Sequence, residues 1–156
     1  VTGSRVARLA ESDWRTFAVI RLRALTDSLG SDDPQFVNES AFTAAQWRRR
    51  LRDHAQFAAF VDDRPVGLIG AQKESVDTVY LYSLWLDPEA RGHGLARPLV
   101  EAAVDWATRQ GARTVTLRVA ADNSVARSVY ESLGFTVKSV TAEGTRPEFA
   151  MALSVT

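Results

Sequence analysis

Leu84-Trp85-Leu86-Asp87-Pro88-Glu89-Ala90-Arg91-Gly92-His93-Gly94-Leu95-Ala96 is the stretch on which the fold of this 156-residue chain turns. Ahead of it, residues 80–86 are dominated by large apolar side chains, as in a buried strand. Asp87-Pro88 stops that strand, because proline lacks the next donor and fixes its own φ. Behind it, Leu95, Leu99, Ala102, Ala103 and Trp106 recur at the spacing of one helix face. Gly92 and Gly94 let the main chain approach a ligand closely, and the first N–H groups of a helix have no partner within it. An anion such as a pyrophosphate suits that positive helix entry, so residues 91–96 form a candidate phosphate cradle. A glycine pair alone would fit a simple tight turn equally well. The glycines do not follow the strand as G-x-G-x-x-G, and no Gly-Lys-Ser/Thr is present, which disfavours a dinucleotide fold and a Walker loop.

Downstream, a helix over residues 95–110 tolerates Pro98 in its first turn and ends at Gly111. Residues 113–119 alternate polar and apolar as a strand does, and the connection has the length of a right-handed parallel crossover. Asp122-Asn123-Ser124 supplies caps for a helix with Ala126, Val129, Tyr130 and Leu133 on one face, ended by Gly134. Strands over 135–140 and 149–155 follow, joined by a polar loop, 141–147, that can border a pocket.

Upstream, residues 5–9 read as a first strand. Ser12 or Asp13 caps a helix carrying Trp14, Phe17, Ala18, Ala24, Leu25 and Leu29 at helical spacing, with Arg21 on or beside its apolar face. Gly30-Ser31-Asp32-Asp33-Pro34 breaks that helix, and residues 35–42 show no clear period. Thr43 starts a second helix whose basic turn, residues 48–52, reads as a solvated face. Strand candidates over 56–61, 66–72 and 76–86, joined by short turns, imply an antiparallel meander.

Length and composition, 46% hydrophobic and 24% charged, suit a single globular domain over residues 1–156. Lysine plus arginine equals aspartate plus glutamate, so no global field steers the chain to nucleic acid or an anionic membrane. The absence of cysteine excludes disulfides and a cysteine nucleophile, and with His54 and His93 the sole histidines no metal site is expected. No apolar run approaches the ~18 residues of a membrane helix and no export signal is visible, which points to a cytoplasmic protein.

A second motif, Asn123-x-x-Ala126-x-x-x-Tyr130-Glu131-x-x-Gly134-Phe135, follows the first at a normal separation. Arg91-x-x-Gly94-x-Ala96 resembles the Q/R-x-x-G-x-G/A acyl-CoA loop of the GCN5-related N-acetyltransferase (GNAT) family, and the second motif is similar to the N-x-x-A-x-x-x-Y-x-x-x-G-F signature that follows it there. With a β-β-β-α-β-α-β-β pattern around both, the resemblance spans nearly the whole chain. It implies an α/β fold with a mixed, mostly antiparallel sheet of about seven strands, flanked by helices, in which parallel strands 4 and 5 splay apart. It also implies acetyl-CoA as co-substrate and, from the N-terminal portion, a bacterial branch acting on small substrates. Homodimers are common in the family.

The resemblance implies roles as well. The backbone of Leu84, Trp85 and Leu86 would run along the pantetheine arm, and Arg91, Gly92, His93, Gly94, Leu95 and Ala96 would hold the pyrophosphate. Asn123 would contact the cofactor arm, and Tyr130 would act as general acid beside sulfur. Arg97 and Arg127 are further candidates for the cofactor phosphates. Many relatives carry a glutamate where this chain has Tyr80 or Tyr82, and residues 80–86 contain no carboxylate. The base is therefore open: Glu39 is a candidate through water, while Tyr82, a poor base at its ordinary pKa near ~10, lines the acceptor pocket. Tyr82, Glu39 and Arg21 are the candidate substrate-side residues. Three functions fit: acetyl transfer to a small amine, acetyl transfer to a protein N-terminus or lysine, and acyl-CoA binding without catalysis.

Overall fold

The computed structural model describes residues 3–141 and 146–155. Its elements are β1 (Ser4–Arg8), α1 (Trp14–Leu29), α2 (Pro34–Ser40), α3 (Ala44–Asp53), β2 (Ala55–Val61), β3 (Arg64–Lys73), β4 (Thr78–Leu86), α4 (Ala96–Arg109), β5 (Thr114–Ala120), α5 (Ser124–Ser132), β6 (Thr136–Thr141) and β7 (Glu148–Ser154). Among the described residues one seven-stranded sheet runs β1-β2-β3-β4-β5-β7-β6, with β4 and β5 parallel and every other pair antiparallel. This is the mixed, mostly antiparallel sheet expected from the sequence. Of the polar loop at 141–147, residues 142–145 lie outside the described residues, as do residues 1 and 2.

Local chemistry accounts for the joints. Val61 pairs with Arg64 across a two-residue turn in which Asp62 and Asp63 both take positive φ, 49° and 66°, the mirror-image turn that matches strand twist. Thr43 caps α3 by accepting from the Gln46 N–H at 3.2 Å, while the Gln46 side chain accepts from the Thr43 N–H at 2.8 Å. Residues 35–42, expected to be irregular, contain a helix instead. Asp33 caps α2 by accepting from the Gln35 N–H at 2.8 Å, and Pro34 fits its first turn. Two turns are too short to display a period.

Helices cover both sheet faces. On one, Leu99, Val100 and Ala103 of α4, each at 0% exposure, pack on Phe57, Ile69, Val79, Leu81 and Val115, and Tyr130 and Phe135 close the far end. On the other, Phe17 and Ile20 of α1 and Trp47 and Leu51 of α3 cover Ala58, Phe60, Leu68 and Trp85. Each fully buried large aliphatic or aromatic side chain contributes about 1.5–3 kcal/mol.

β4 changes phase between these layers. Leu68 pairs with Trp85 and Gly70 with Tyr82, so Ser83 and Leu84 together oppose Ile69 in a β-bulge, and Ser83 takes φ 57°. Before the bulge Val79 and Leu81 enter the α4 core; after it Leu84 and Leu86 do, and Trp85 turns to α1. One extra residue therefore leaves Tyr80, Tyr82 and Trp85 on the α1 side.

Candidate active site

β4 and β5 pair only from Thr78↔Thr114 to Tyr80↔Thr116. Beyond that point β4 follows β3 as far as Leu86, while β5 follows β7 as far as Ala120, so the two parallel strands separate. A cleft of about 200 Å³ opens between them, walled by Leu81, Tyr82, Ser83 and Leu84 of β4, Arg118, Val119 and Ala120 of β5, and Asn123, Ala126 and Tyr130 at α5. Main-chain groups on the cleft side of β4 have lost their ladder partners, which leaves hydrogen-bonding capacity for an extended ligand.

The loop that follows β4 carries the two glycines. Gly92 and Gly94 adopt φ of 82° and 76°, and nothing lies within 4 Å of where a Cβ would stand on either, so backbone conformation rather than crowding requires glycine there. Among the described residues no acceptor takes the N–H groups of Gly92, His93, Gly94 or Leu95. These donors, with the unpaired first turn of α4 behind them, fit a pyrophosphate. The Arg91 side chain points the other way. Its Nε donates to the Leu86 carbonyl at 3.0 Å and its Nη2 to Asp27 at 2.7 Å, while Trp85 Nε1 donates to the same carboxylate at 2.9 Å. The hydrogen bonds from Trp85 and then Arg91 hold the Asp27 carboxyl below its usual range. Arg91 thus straps the loop to α1 through its side chain. His93 is exposed.

Asn123 Oδ1 caps α5 by accepting from the Ala126 N–H at 3.2 Å, which leaves its NH₂ free to donate into the cleft. Tyr130 is 6% exposed, and its ring packs edge-on to Phe135 with 5.8 Å between centroids. Burial, and to a smaller extent Tyr80, pushes its hydroxyl up to about 12, so it stays protonated at neutral pH. Arg97, exposed, donates to Ser132 Oγ at 2.8 Å, and Arg127, half-buried, lies 3.7 Å from Glu131, so they brace α4 and α5 with donors to spare.

Glu39 stands differently from its expected place, while Arg21 lies on the buried side of α1 as expected. Glu39 lies in α2, not in an irregular loop, and is 1% exposed. Its carboxylate accepts from Arg21 Nε at 3.0 Å and Nη2 at 3.3 Å, from Gln35 at 3.1 Å and from Arg50 at 3.3 Å. Burial pushes the carboxyl up, but hydrogen bonds and charge from Arg21, with Gln35 and Arg50, outweigh it and hold Glu39 below its usual range. A carboxylate so engaged is a poor proton acceptor. Arg21 is 9% exposed and donates from Nη1 to Ser83 Oγ at 3.1 Å, clamping the β4 bulge. Arg50, read from sequence as part of a solvated basic face, turns inward to this pair.

Tyr82 gathers three residues the sequence reading passed over. Its hydroxyl lies 2.6 Å from His54 Nδ1 and accepts from Gln56 Nε2 at 2.8 Å. A Cβ on Gly70 would stand 2.5 Å from Tyr82 Cζ, so only glycine there lets the ring lie flat on β3. A glycine inside an apolar strand is the one local sign of such an approach. Nothing local links His54 or Gln56 to Tyr82. Among the described residues no group of three histidine, aspartate or glutamate side chains is arranged to hold a metal ion, and no helix is long and apolar enough to cross a membrane.

Comparison with known proteins agrees with this geometry. The chain is 29% identical over 128 residues to the [ribosomal protein bS18]-alanine N-acetyltransferase of Escherichia coli, covering 76% of this chain and 80% of that one. It is 34% identical over 116 residues to a mycothiol acetyltransferase of Catenulispora acidiphila, covering 69% of this chain but only 31% of that one. A further relative, an N-acetyltransferase of Methanocaldococcus jannaschii, is 28% identical over 101 residues, 61% of this chain, and is spanned over 45% of its length. An acetyltransferase from Salmonella typhimurium, solved with its cofactor acetyl-CoA, superposes with a TM-score of 0.78 at 18% identity, over 98% of this chain and 94% of that one, and shows the shared fold. Residues 22–135 match the model of the acetyltransferase (GNAT) family, so with the splayed strands and the glycine loop in place this chain belongs to the GNAT family of acyl-CoA-using N-acetyltransferases.

Proposed function

We propose that this protein transfers an acetyl group from acetyl-CoA to the primary amine of a small molecule. The observation that carries the reading is the cleft between β4 and β5, with a protonated tyrosine in its wall and free main-chain donors in the loop that follows β4. The thioester supplies an activated acetyl carbon, on which the amine forms a C–N bond as the C–S bond breaks. The N–H groups of Gly92, His93, Gly94 and Leu95 hold the pyrophosphate, and the Asn123 NH₂ donates to the pantetheine arm. Free main-chain donors on the cleft side of β4 favour the developing oxyanion. Tyr130 donates to the departing sulfur. With its hydroxyl raised to about 12 against a thiol near ~8.5, it acts chiefly as a hydrogen-bond donor whose proton moves as the bond breaks.

A protein N-terminus is the second reading, favoured by the relative named for ribosomal-protein alanine acetylation. Thiol release from acetyl-CoA, followed across a panel of small amines and of peptides with free N-termini or lysines, separates the two. Turnover on small amines supports the proposal, and turnover on peptides alone replaces it with the second reading. CoA binding without turnover on any acceptor overturns both.

A further inference from the structure

Through its hydrogen bond to His54, Tyr82 connects the acetyl cleft with a second opening. A second cleft, of about 270 Å³, lies along α3 beside the turn that precedes it and is lined by Phe42, Gln46, Arg49, Arg50, Asp53 and His54. Tyr82 lines the first cleft and His54 the second, and the 2.6 Å hydrogen bond between them joins the two. Gln56 Nε2 donates to the Tyr82 oxygen, which leaves the phenolic proton free to go to His54 Nδ1 in the tautomer that carries its own proton on Nε2. Gly70 keeps the Tyr82 ring down on the sheet and the bond short.

From this geometry we infer that Tyr82 takes the proton of the acceptor amine while passing its own phenolic proton to His54, which returns it to water through the second cleft. The inference rests on the acyl-transfer reading above and supplies its missing base. The bonds balance. The amine N–H breaks as a new Tyr82 O–H forms, and the old Tyr82 O–H breaks as the His54 Nδ1–H forms. The imidazolium then sheds its Nε2 proton to water, and tautomer exchange with water restores the starting ring. No free phenolate is needed, which matters because burial raises the Tyr82 hydroxyl. His54 suits the receiving end. Burial first, then the charge of Arg50 against an opposing Asp53, hold its pKa below 6.5, so the ring is neutral at pH 7. The charged groups facing Tyr82 are Arg21 from α1, Glu39 from α2 and Arg50 from α3, and Tyr80 stacks beside it at 6.2 Å.

Tyr82 is the catalytic member and His54 acts through it, so the test reads pH dependence as well as rate. With the best amine of the panel, wild-type kcat should fall on acidification below pH 6.5. His54→Gln and Tyr82→Phe should each lower kcat at neutral pH at least tenfold with CoA affinity unchanged. Their deficit should shrink as pH rises toward about 10, where the amine is already neutral without help. A deficit equal at every pH, or none, overturns the relay while leaving acyl transfer intact. No turnover by wild type on the whole panel overturns both. Nitrogen-15 NMR of the wild-type imidazole gives a readout free of turnover and of any folding defect in the variants: a bare, accepting Nδ1 with Nε2–H is expected, and a protonated Nδ1 at neutral pH sinks the relay.

Discussion

The Tyr130 hydroxyl takes no partner among the described residues, yet it is not sealed from the cleft, while its ring belongs to the core between α5 and the sheet. Removing only the oxygen therefore spares the packing. Tyr130→Phe should bind CoA as before and lose turnover at least about tenfold, ~1.4 kcal/mol of transition-state stabilisation, as read by steady-state kinetics beside calorimetric CoA binding. Glu39 is the opposite kind of residue, valuable to the fold for its charge. Its folded pKa lies below the ordinary 4.5, so its ion pairs stabilise the fold fully above that value. The contribution is lost as pH falls through the lowered folded pKa. Glu39→Gln leaves Arg21 buried without its counter-charge, and should cost about 3 kcal/mol at pH 7. Denaturant melts against pH should show the variant losing less than wild type on acidification below ~4.5.

At the scale of elements, the joint from β4 to α4 works through its main chain. Gly94→Ala puts a side chain in open space, so it adds no clash, but an L-residue at φ 76° costs about 1–2 kcal/mol and will pull the loop out of shape. CoA affinity should fall roughly tenfold while far-UV circular dichroism stays unchanged. The bulge in β4 depends on the opposite logic. A single inserted residue, held by Arg21 at Ser83, turns Trp85 to α1 and the next residue, Leu86, to α4. Alternation in residues 80–86 could not reveal that inversion, since the stretch is apolar throughout apart from Ser83 and the tyrosine hydroxyls. Nor could the pattern show α2, where Asp33 and Pro34 start a helix too short for periodicity. Where local chemistry suffices the elements were legible: Thr43 with Gln46, the Asp62-Asp63 turn and Asn123 each cap or turn as their side chains require.

For the molecule as a whole, the cleft is a fault line in one sheet: β1 to β4 on one side, β5 to β7 on the other, parted beyond Tyr80 and Thr116. A ligand lying in that gap bonds to both halves and binds only the folded state, so CoA at 100 times its Kd should add about 2.7 kcal/mol of stability. At roughly 2–4 °C per kcal/mol for a domain of this size, the melting temperature should rise by roughly 5–10 °C, and by less in Gly94→Ala. Scanning calorimetry with and without CoA checks this, and an unchanged melting temperature counts against the cradle. By itself the sequence determined the order of the strands and of every helix but α2, and the glycine loop between β4 and α4, because periodicity, caps and glycine turns act over a few neighbouring residues. Only the tertiary structure decided that Glu39 is silenced by Arg21 and that Tyr82 meets His54 and Gln56. Those pairs lie 18, 28 and 26 residues apart and share no local pattern, so packing of α1 against α2 had to bring the first together, and the pairing of β2 and β4 across β3 the other two.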